Sequence, residues 1–437
     1  MTEASGSRSP WLVAAVVLLI AGALVLRLAY VAATPGYVPT GDARDYDGHA
    51  LSIASGGGFS DTLAHGRPTA FRPPGYPYVL GAVYRVAGVE RSDPTGRIHV
   101  ARVANAVVGT VIVALIGLLA AQLAGRTVAL AALALAAVFV PLITVGGAVM
   151  SEPLFTVFML AALIVAVQLR RSGDRHRYRW AVLAGVLGGL AILTRANALV
   201  LLLPLAIAAW TVRPRLSRAA LGPPAVLCVV ALLVVAPWTV RNAVVLDTFI
   251  PVSTQLGSAL AGTYNDQARA DTRNPASWRA VFHVPEFMEP YRRIRRTPEA
   301  ELEQTLRAAS LAYVGQHPGY VGTVAYWNTV RTLELAGLRR SRATAAVIGI
   351  SRGWSDAGVV CFWLVAALAL AGALTASARR TPAWVWLVPV LMFLSVVFIV
   401  VETPRYRTAV DPFIVLLAAM ALVSLHARLT RAHAGDA

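Results

Sequence analysis

The 437-residue chain is 57% hydrophobic and only 14% charged, which makes it far more apolar than a soluble domain. Its 39 basic residues are all arginine and outnumber 22 acidic ones, for a formal net charge of +17. Most of these arginines lie in short loops between apolar stretches, a pattern that sets membrane orientation and does not indicate a nucleic-acid partner. Cys228 and Cys361 lie in apolar stretches, which argues against a disulfide framework.

Apolar stretches long enough to cross a bilayer, which takes roughly 20 residues, recur along the chain. We predict about ten spans, at 11–33, 100–124, 127–147, 153–169, 180–194, 198–212, 219–238, 356–376, 383–401 and 408–426. The region 180–212 is divided in two because a single helix of that length would be about 50 Å long, too long even when tilted. The sequence therefore predicts an all-α polytopic membrane protein.

The arginine-rich short loops fix the expected orientation. They lie at 170–179, 213–218, 379–380 and 428–431, all on one side of the predicted membrane. The positive-inside rule makes that side cytoplasmic, with both termini there, in the plasma membrane of the cell. We expect three parts: a transmembrane catalytic core at 1–238 with an external loop at 34–99, a long extracytoplasmic region at 239–355, and C-terminal transmembrane helices at 356–437.

The first external loop contains a predicted juxtamembrane helix at 42–53. Its residues Asp42, Tyr46, His49, Ala50 and Ile53 share one face at spacings of three and four. Asp42 has two compatible interpretations, a helix N-cap and a general base at the membrane face. Asp45 and Asp47 are expected to be solvated surface acids.

Five arginines lie at the outer ends of predicted spans, against the trend of the short loops. They are Arg72, Arg195, Arg241, Arg405 and Arg407. One such arginine commonly extends to the membrane interface, but five on one face indicate an anionic partner, because guanidinium binds phosphate oxygens bidentately. Arg27, inside the first span, also needs a partner, for which Asp42 and a lipid phosphate are candidates.

Two further acids lie at outer span ends. Glu152 precedes Pro153 at the start of the fourth span, where helix capping is the simpler explanation, and Glu402 lies between spans nine and ten. The sequence contains no zinc-protease, serine-hydrolase or dinucleotide motif. No metal or organic cofactor is therefore expected.

An ordered set of short motifs carries a family resemblance. After the acid that follows span one come Phe71-Arg72-Pro73-Pro74-Gly75-Tyr76-Pro77, Ser151-Glu152-Pro153, Leu193-Thr194-Arg195, Pro237-Trp238-Thr239-Val240-Arg241-Asn242 and Arg405-Tyr406-Arg407. In this order they resemble the membrane glycosyltransferases of the C superfold (GT-C), in particular the dolichyl-phosphate-mannose/aminoarabinose transferase-like branch. The resemblance covers almost the whole chain, which departs at Ala43, where many members have Glu.

The resemblance implies an external active site, a polyprenyl-phosphate sugar donor and inversion at the anomeric carbon. It places the catalytic acid at Asp42. Because a sugar phosphate leaves as a stabilised anion, one base and a cationic cradle suffice, whereas a glycosidase needs two carboxylates. The other candidate residues, expected to bind substrate, are Tyr46, Arg72, Glu152, Arg195, Arg241, Glu402, Arg405 and Arg407.

The expected partners are the lipid-linked donor, the bilayer, and an acceptor that is a glycolipid, a polysaccharide or a protein. One alternative is a transporter or flippase for an anionic lipid or lipid-linked sugar, which would also place charges at span ends. A second is a non-catalytic membrane scaffold. The transporter predicts inverted repeats, which the sequence does not show.

Overall fold

The computed structural model describes residues 10–60, 66–171, 176–211, 214–292, 297–400 and 404–435. The helices are α1 Pro10–Ala33, α2 Asp42–Ala54, α3 Gly75–Ala87, α4 Pro94–Ala124, α5 Arg126–Val138, α6 Val140–Gly146, α7 Glu152–Arg171, α8 Arg177–Thr194, α9 Leu202–Ala209, α10 Arg218–Leu246, α11 Gln255–Thr263, α12 Asp266–Ala270, α13 Pro285–Arg292, α14 Glu299–Gln316, α15 Pro318–Thr332, α16 Leu338–Val347, α17 Arg352–Ala373, α18 Ala376–Arg380, α19 Ala383–Val397 and α20 Asp411–Gly435. Three 3₁₀ turns lie at Ala196–Leu201, Val281–His283 and Arg405–Arg407. Within the described ranges, β structure is limited to one isolated bridge, so the all-α prediction is confirmed.

Six of the described helices are long and apolar enough to cross a membrane: α1, α4, α7, α10, α17 and α20. The pair α5–α6, bent by 57° at its break, makes a seventh if it forms one span. The other three predicted spans correspond to α8, to the segment Ala196–Ala209 and to α19, which are shorter or less apolar. Each predicted stretch is therefore helical, while the count of ten crossings stays a prediction.

The helix core is centred on α4, which packs against α1, α5 and α7, while α8 packs against α7 and α10. Small side chains contribute to these contacts, as in α5, which buries Ala129, Ala132 and Ala136 in the core. Lipid tails are as apolar as the helices, so association depends on close packing between small residues.

Arg27 is fully buried in α1, where its side chain contacts the C-terminal end of α5. Its guanidinium donates to the carbonyls of Ala136 at 3.3 Å and Ala137 at 3.4 Å. These are among the last carbonyls of α5, which lack partners within their own helix, and a cation is favoured at a helix C-terminus. The prediction that Asp42 pairs with Arg27 is therefore wrong. The charge of Arg27 instead stabilises the broken α5–α6 segment.

Two connecting regions carry most of the remaining helices. The first loop, residues 34–93, contains α2 and α3, which pack against each other. The helix predicted at 42–53 is confirmed as α2, and Tyr46, His49 and Ala50 of its predicted face are buried. The large loop, residues 247–351, contains α11 to α16. The two loops meet over the ends of the core helices.

Candidate active site

Asp42 is the first residue of α2, and Gly41 occupies the cap position before it with φ +49°. The Asp42 carboxylate accepts from two arginines: Oδ1 from Arg72 Nη2 at 2.6 Å, and Oδ2 from Arg405 Nη2 at 2.5 Å. The interpretation of Asp42 as an N-cap is therefore wrong. Its side chain joins the first loop to a segment 363 residues away.

Asp45 completes the environment of Arg72. It lies one helical turn after Asp42, on the same side of α2, and its Oδ2 accepts from Arg72 Nη2 at 2.6 Å. Asp47 points elsewhere, is only 7% exposed, and accepts from Arg97 Nε at 2.9 Å and Tyr84 Oη at 2.7 Å. The expectation that Asp45 and Asp47 are solvated is wrong for both, since one lines the site and the other is buried in an ion pair.

The Arg-Pro-Pro-Gly turn is held against the end of α8. A Cβ atom at Gly75 would lie 2.7 Å from Thr194 Oγ1 and 3.0 Å from the Leu193 carbonyl oxygen, so only glycine permits this approach. The contact places the turn that carries Arg72, which is 5% exposed, beside the break after α8. Arg195 lies at that break, in extended conformation.

Glu152 is a second buried carboxylate, at the start of α7. Its Oε1 lies 2.7 Å from Arg195 Nη1 and 3.1 Å from Arg405 Nε, close charge contacts without hydrogen-bond geometry. Because Arg405 also contacts Asp42, it bridges the two carboxylates. Glu152 is the first residue of α7, as the capping interpretation expects, but its carboxylate is paired with Arg195 and Arg405.

Aromatic rings hold the guanidinium groups in place. Arg405 and Arg195 both lie over the ring of Tyr406, at 4.6 Å and 5.2 Å from its centroid. Arg72 lies 5.6 Å from the centroid of Tyr46, whose hydroxyl is hydrogen-bonded to Ser151 Oγ at 3.0 Å. Such cation–π contacts fix the orientation of an arginine.

The charges in this cluster balance, with three carboxylates and three guanidinium groups. Burial alone would raise the pKa of Asp42, but Arg405 and Arg72 outweigh it and hold that pKa well below its usual range. Burial alone would lower the pKa of Arg72, but Asp42 and Asp45 outweigh it and raise that pKa. Asp42 is therefore ionised at neutral pH.

Arg241, also predicted to bind substrate, does not join the cluster. Arg241 donates to the backbone oxygens of Thr69 at 2.7 Å and Phe59 at 2.9 Å, and lies 4.8 Å from the Trp238 ring centroid. It therefore ties the first loop to α10. Glu402 lies outside the described residues.

Arg407 is buried, at 1% exposure, between α20 and the large loop. Its Nε donates to Asp411 Oδ1 at 2.9 Å, and its Nη1 donates to the Thr332 carbonyl at 2.9 Å and to Glu334 Oε1 at 3.3 Å. This position does not fit the predicted contact with a phosphate beside Asp42.

A cavity of about 470 Å³ opens beside the cluster, within the range of small-molecule sites. Its first wall comes from the first loop and the turn before α20 and includes Asp42, Asp45, Arg72, Arg405 and Tyr406. Its second wall comes from the large loop and includes Thr254, Gln255, Ser258, Trp278, Phe282, Glu299 and Glu303. Asp42, Asp45, Arg72 and Arg405 of the charged cluster thus face a cavity that both loops line.

Glu299 is a candidate residue that sequence reasoning missed, because an acid in the first turn of α14 resembles an ordinary helix start. Its carboxylate accepts from Thr69 Oγ1 at 2.5 Å, from the Ala70 amide at 3.1 Å and from Thr254 Oγ1 at 2.5 Å. It therefore fastens the segment just before Arg72 to the large loop.

Replacing Glu299 by Ala is expected to lower the free energy of unfolding by about 1–3 kcal/mol, because the Thr69 and Thr254 hydroxyls and the Ala70 amide lose their acceptor. Thermal unfolding of the purified protein in detergent measures this. Glu301→Ala, an exposed acid on the same helix, is the matched control and should unfold like the wild type. Equal unfolding of the two variants would contradict the assigned role.

Comparison with known proteins agrees with this architecture. Residues 71–240 match the family model described as dolichyl-phosphate-mannose-protein mannosyltransferase, a segment that begins at the turn carrying Arg72. None of the curated proteins matches the chain.

Solved structures share the fold. The archaeal oligosaccharyltransferase AglB from Archaeoglobus fulgidus, in complex with an inhibitory peptide and a dolichol-phosphate, has a TM-score of 0.55 and 14% identity, over 98% of this chain and 52% of that one. Its apo form has a TM-score of 0.55 and 13% identity, over 99% and 52%. ArnT from Cupriavidus metallidurans, bound to undecaprenyl phosphate, is a looser match, with a TM-score of 0.44 and 18% identity over 95% and 78%. The chain thus spans about half the length of AglB.

These findings define the class. The chain has the fold of the C-superfold membrane proteins, and the predicted resemblance to the membrane glycosyltransferases of that superfold is confirmed.

Proposed function

We propose that this protein is an inverting glycosyltransferase that moves a sugar from a polyprenyl-phosphate donor to an acceptor hydroxyl on the extracytoplasmic face of the membrane. The observation that carries the proposal is the convergence of Asp42, Arg72 and Arg405 on one wall of a cavity. A carboxylate between two guanidinium groups supplies a base and a cradle for an anionic leaving group. The AglB complex with a dolichol-phosphate supports a lipid-phosphate donor.

The reaction is a single displacement. The acceptor hydroxyl oxygen attacks the anomeric carbon on the face opposite the phosphate, and its proton passes to the Asp42 carboxylate. The bond between the anomeric carbon and the phosphate oxygen breaks, and its electron pair stays on that oxygen. Arg405 and Arg72 stabilise the negative charge that grows there. The products are the inverted glycoside and the polyprenyl phosphate.

The structure also suggests how donor binding activates the base. Arg405 and Arg72 hold the pKa of Asp42 low, so with both contacts intact it is a weak base. A donor phosphate that binds these guanidinium groups draws positive charge away from Asp42 and raises its pKa toward the ordinary value. Glu152 keeps Arg405 in position meanwhile. Base strength is therefore coupled to the presence of donor.

A transfer assay tests the proposal. The purified protein, reconstituted in lipid vesicles, receives radiolabelled polyprenyl-phosphate sugars and a mixed pool of hydroxyl acceptors. Label in the acceptor fraction, with release of polyprenyl phosphate, is the expected result, and nucleotide sugars should be inactive. Movement of intact donor across the bilayer without bond formation would identify a flippase instead.

The side of the membrane is predicted separately. With both native cysteines replaced, a cysteine at Arg44 in the first loop or at Arg273 in the large loop should react with an impermeant thiol reagent in intact cells. A cysteine at Arg215, exposed between α9 and α10, should react only after permeabilisation. Labelling of position 215 from outside would overturn the orientation.

A further inference from the structure

The large-loop wall of the cavity presents aromatic rings that the proposed reaction does not use. Trp278 is 37% exposed and Phe282 is 46% exposed, and both line the cavity that contains Asp42. Large aromatic surfaces left accessible inside a cavity are common features of ligand sites.

The indole ring of Trp278 is held in place. Its Nε1 donates to the Ser258 carbonyl at 3.3 Å, and the next residue, Arg279, donates its amide to the Gly262 carbonyl at 2.8 Å. A Cβ atom at Gly262 would collide with the indole, so glycine is required for this approach. Because the N–H is already bonded to backbone, the ring face is what Trp278 offers to a ligand.

Polar side chains lie on the same wall. Gln255, Ser258 and Glu303 are among the residues that line the cavity. The Ser258 hydroxyl donates to the Gln255 carbonyl and Glu303 Oε1 lies 3.1 Å from Arg307 Nε, and both groups keep capacity to accept further hydrogen bonds. Such groups donate to and accept from adjacent hydroxyls. A sugar ring has hydroxyls at its edge and an apolar C–H face, and this combination matches it.

We propose that Trp278, with Phe282, Gln255 and Glu303 around it, forms a saccharide-binding subsite that seats a sugar ring of the acceptor. The acceptor is then a glycan or glycolipid and not a protein hydroxyl. The donor sugar is attached to the phosphate, and so belongs at Arg72 and Arg405 on the other wall. This inference rests on the proposed function and adds to it the class of acceptor.

The experiment uses the full-length protein with radiolabelled polyprenyl-phosphate sugar as donor. The acceptor probes are butyl hexopyranosides and butyl pentofuranosides, with butanol as the probe that lacks a ring. Trp278→Ala should raise the acceptor KM for at least one glycoside about three- to tenfold, with kcat and the donor KM unchanged, because it removes a stacking surface. Trp278→Phe should stay near the wild type, since it keeps an aromatic face.

Two further variants keep the test decisive. Gln255→Ala should raise the same acceptor KM and serves if Trp278→Ala fails to fold. Tyr326→Ala, an exposed aromatic of the large loop that is not among the cavity residues, is the matched control and should behave as the wild type.

Three results would overturn the subsite: an unchanged glycoside KM in Trp278→Ala and Gln255→Ala, an effect on the donor KM alone, or equal transfer by the wild type to butanol and to the glycosides. Calorimetric binding of the same probes without donor provides an independent readout. Glycoside binding weakened by Trp278→Ala would support the subsite even if no sugar transfer were found, whereas absent transfer would refute the proposed function alone.

Discussion

Replacing Asp42 by Asn is expected to lower sugar transfer by roughly 10²–10⁴-fold while the protein still folds and inserts, because asparagine keeps the size of the side chain but cannot accept a proton. The structure explains why folding should survive. Arg72 keeps Asp45 as a partner and Arg405 keeps Glu152, so neither buried guanidinium group is left without a carboxylate. The transfer rate and the thermal unfolding temperature, measured on the same preparation, check the expected loss of activity and the expected retention of folding.

The neighbouring acids provide the comparison. Asp45→Asn leaves Arg72 paired with Asp42 and should lower transfer by less than tenfold. Asp47→Asn is not a suitable control, since it weakens the buried pair with Arg97 and should lower stability. Transfer near the wild-type rate in Asp42→Asn would show that Asp42 is not the general base, and Glu152 would be the next candidate for that role.

Arg405→Ala is expected to lower kcat by about 10²–10³-fold and to raise the donor KM, because phosphate charge grows in the transition state and Arg405 is one of two cations beside Asp42. Arg405→Lys should not restore the rate. A single ammonium group cannot reproduce the arrangement in which Nη2 contacts Asp42 while Nε contacts Glu152.

The pH dependence of Arg405→Ala is a second readout. Arg405 and Arg72 outweigh burial to lower the pKa of Asp42, so loss of Arg405 must raise that pKa. The base works only when ionised, and the acid limb of kcat/KM should therefore move to higher pH. An acid limb that stays in place would separate Arg405 from the base.

Arg407→Ala is the contrast to Arg405→Ala, because Arg407 is also an arginine and lies only two residues after Arg405. Its buried contacts are with Asp411, Glu334 and the Thr332 carbonyl, so we expect a loss of about 3–5 kcal/mol of stability from the two buried acids left without this cation. The folded fraction should retain a kcat near the wild type. A selective fall in kcat without a loss of stability would return Arg407 to the site.

The sequence by itself determined the features that depend on neighbouring residues, namely the helices and their breaks. Each stretch that had the length and apolarity of a span is a helix, and the break around Arg195 was visible because no single helix of that length fits a bilayer. Helix α2 followed from its three- and four-residue spacing. These signals are local, since hydrophobic length and periodicity act on neighbouring residues.

Only the tertiary structure decided which of the five similar arginines face Asp42. Arg72 and Arg405 contact Asp42 and Arg195 contacts the neighbouring Glu152, while Arg241 binds the backbone and Arg407 binds a separate acid. It also decided that Asp42 is not a cap, that Asp47 is buried, and that Glu299 joins the loops. The physical reason is that each contact joins segments far apart in the chain, and a guanidinium group pairs with whichever carboxylate or carbonyl the packing of helices brings within about 3 Å.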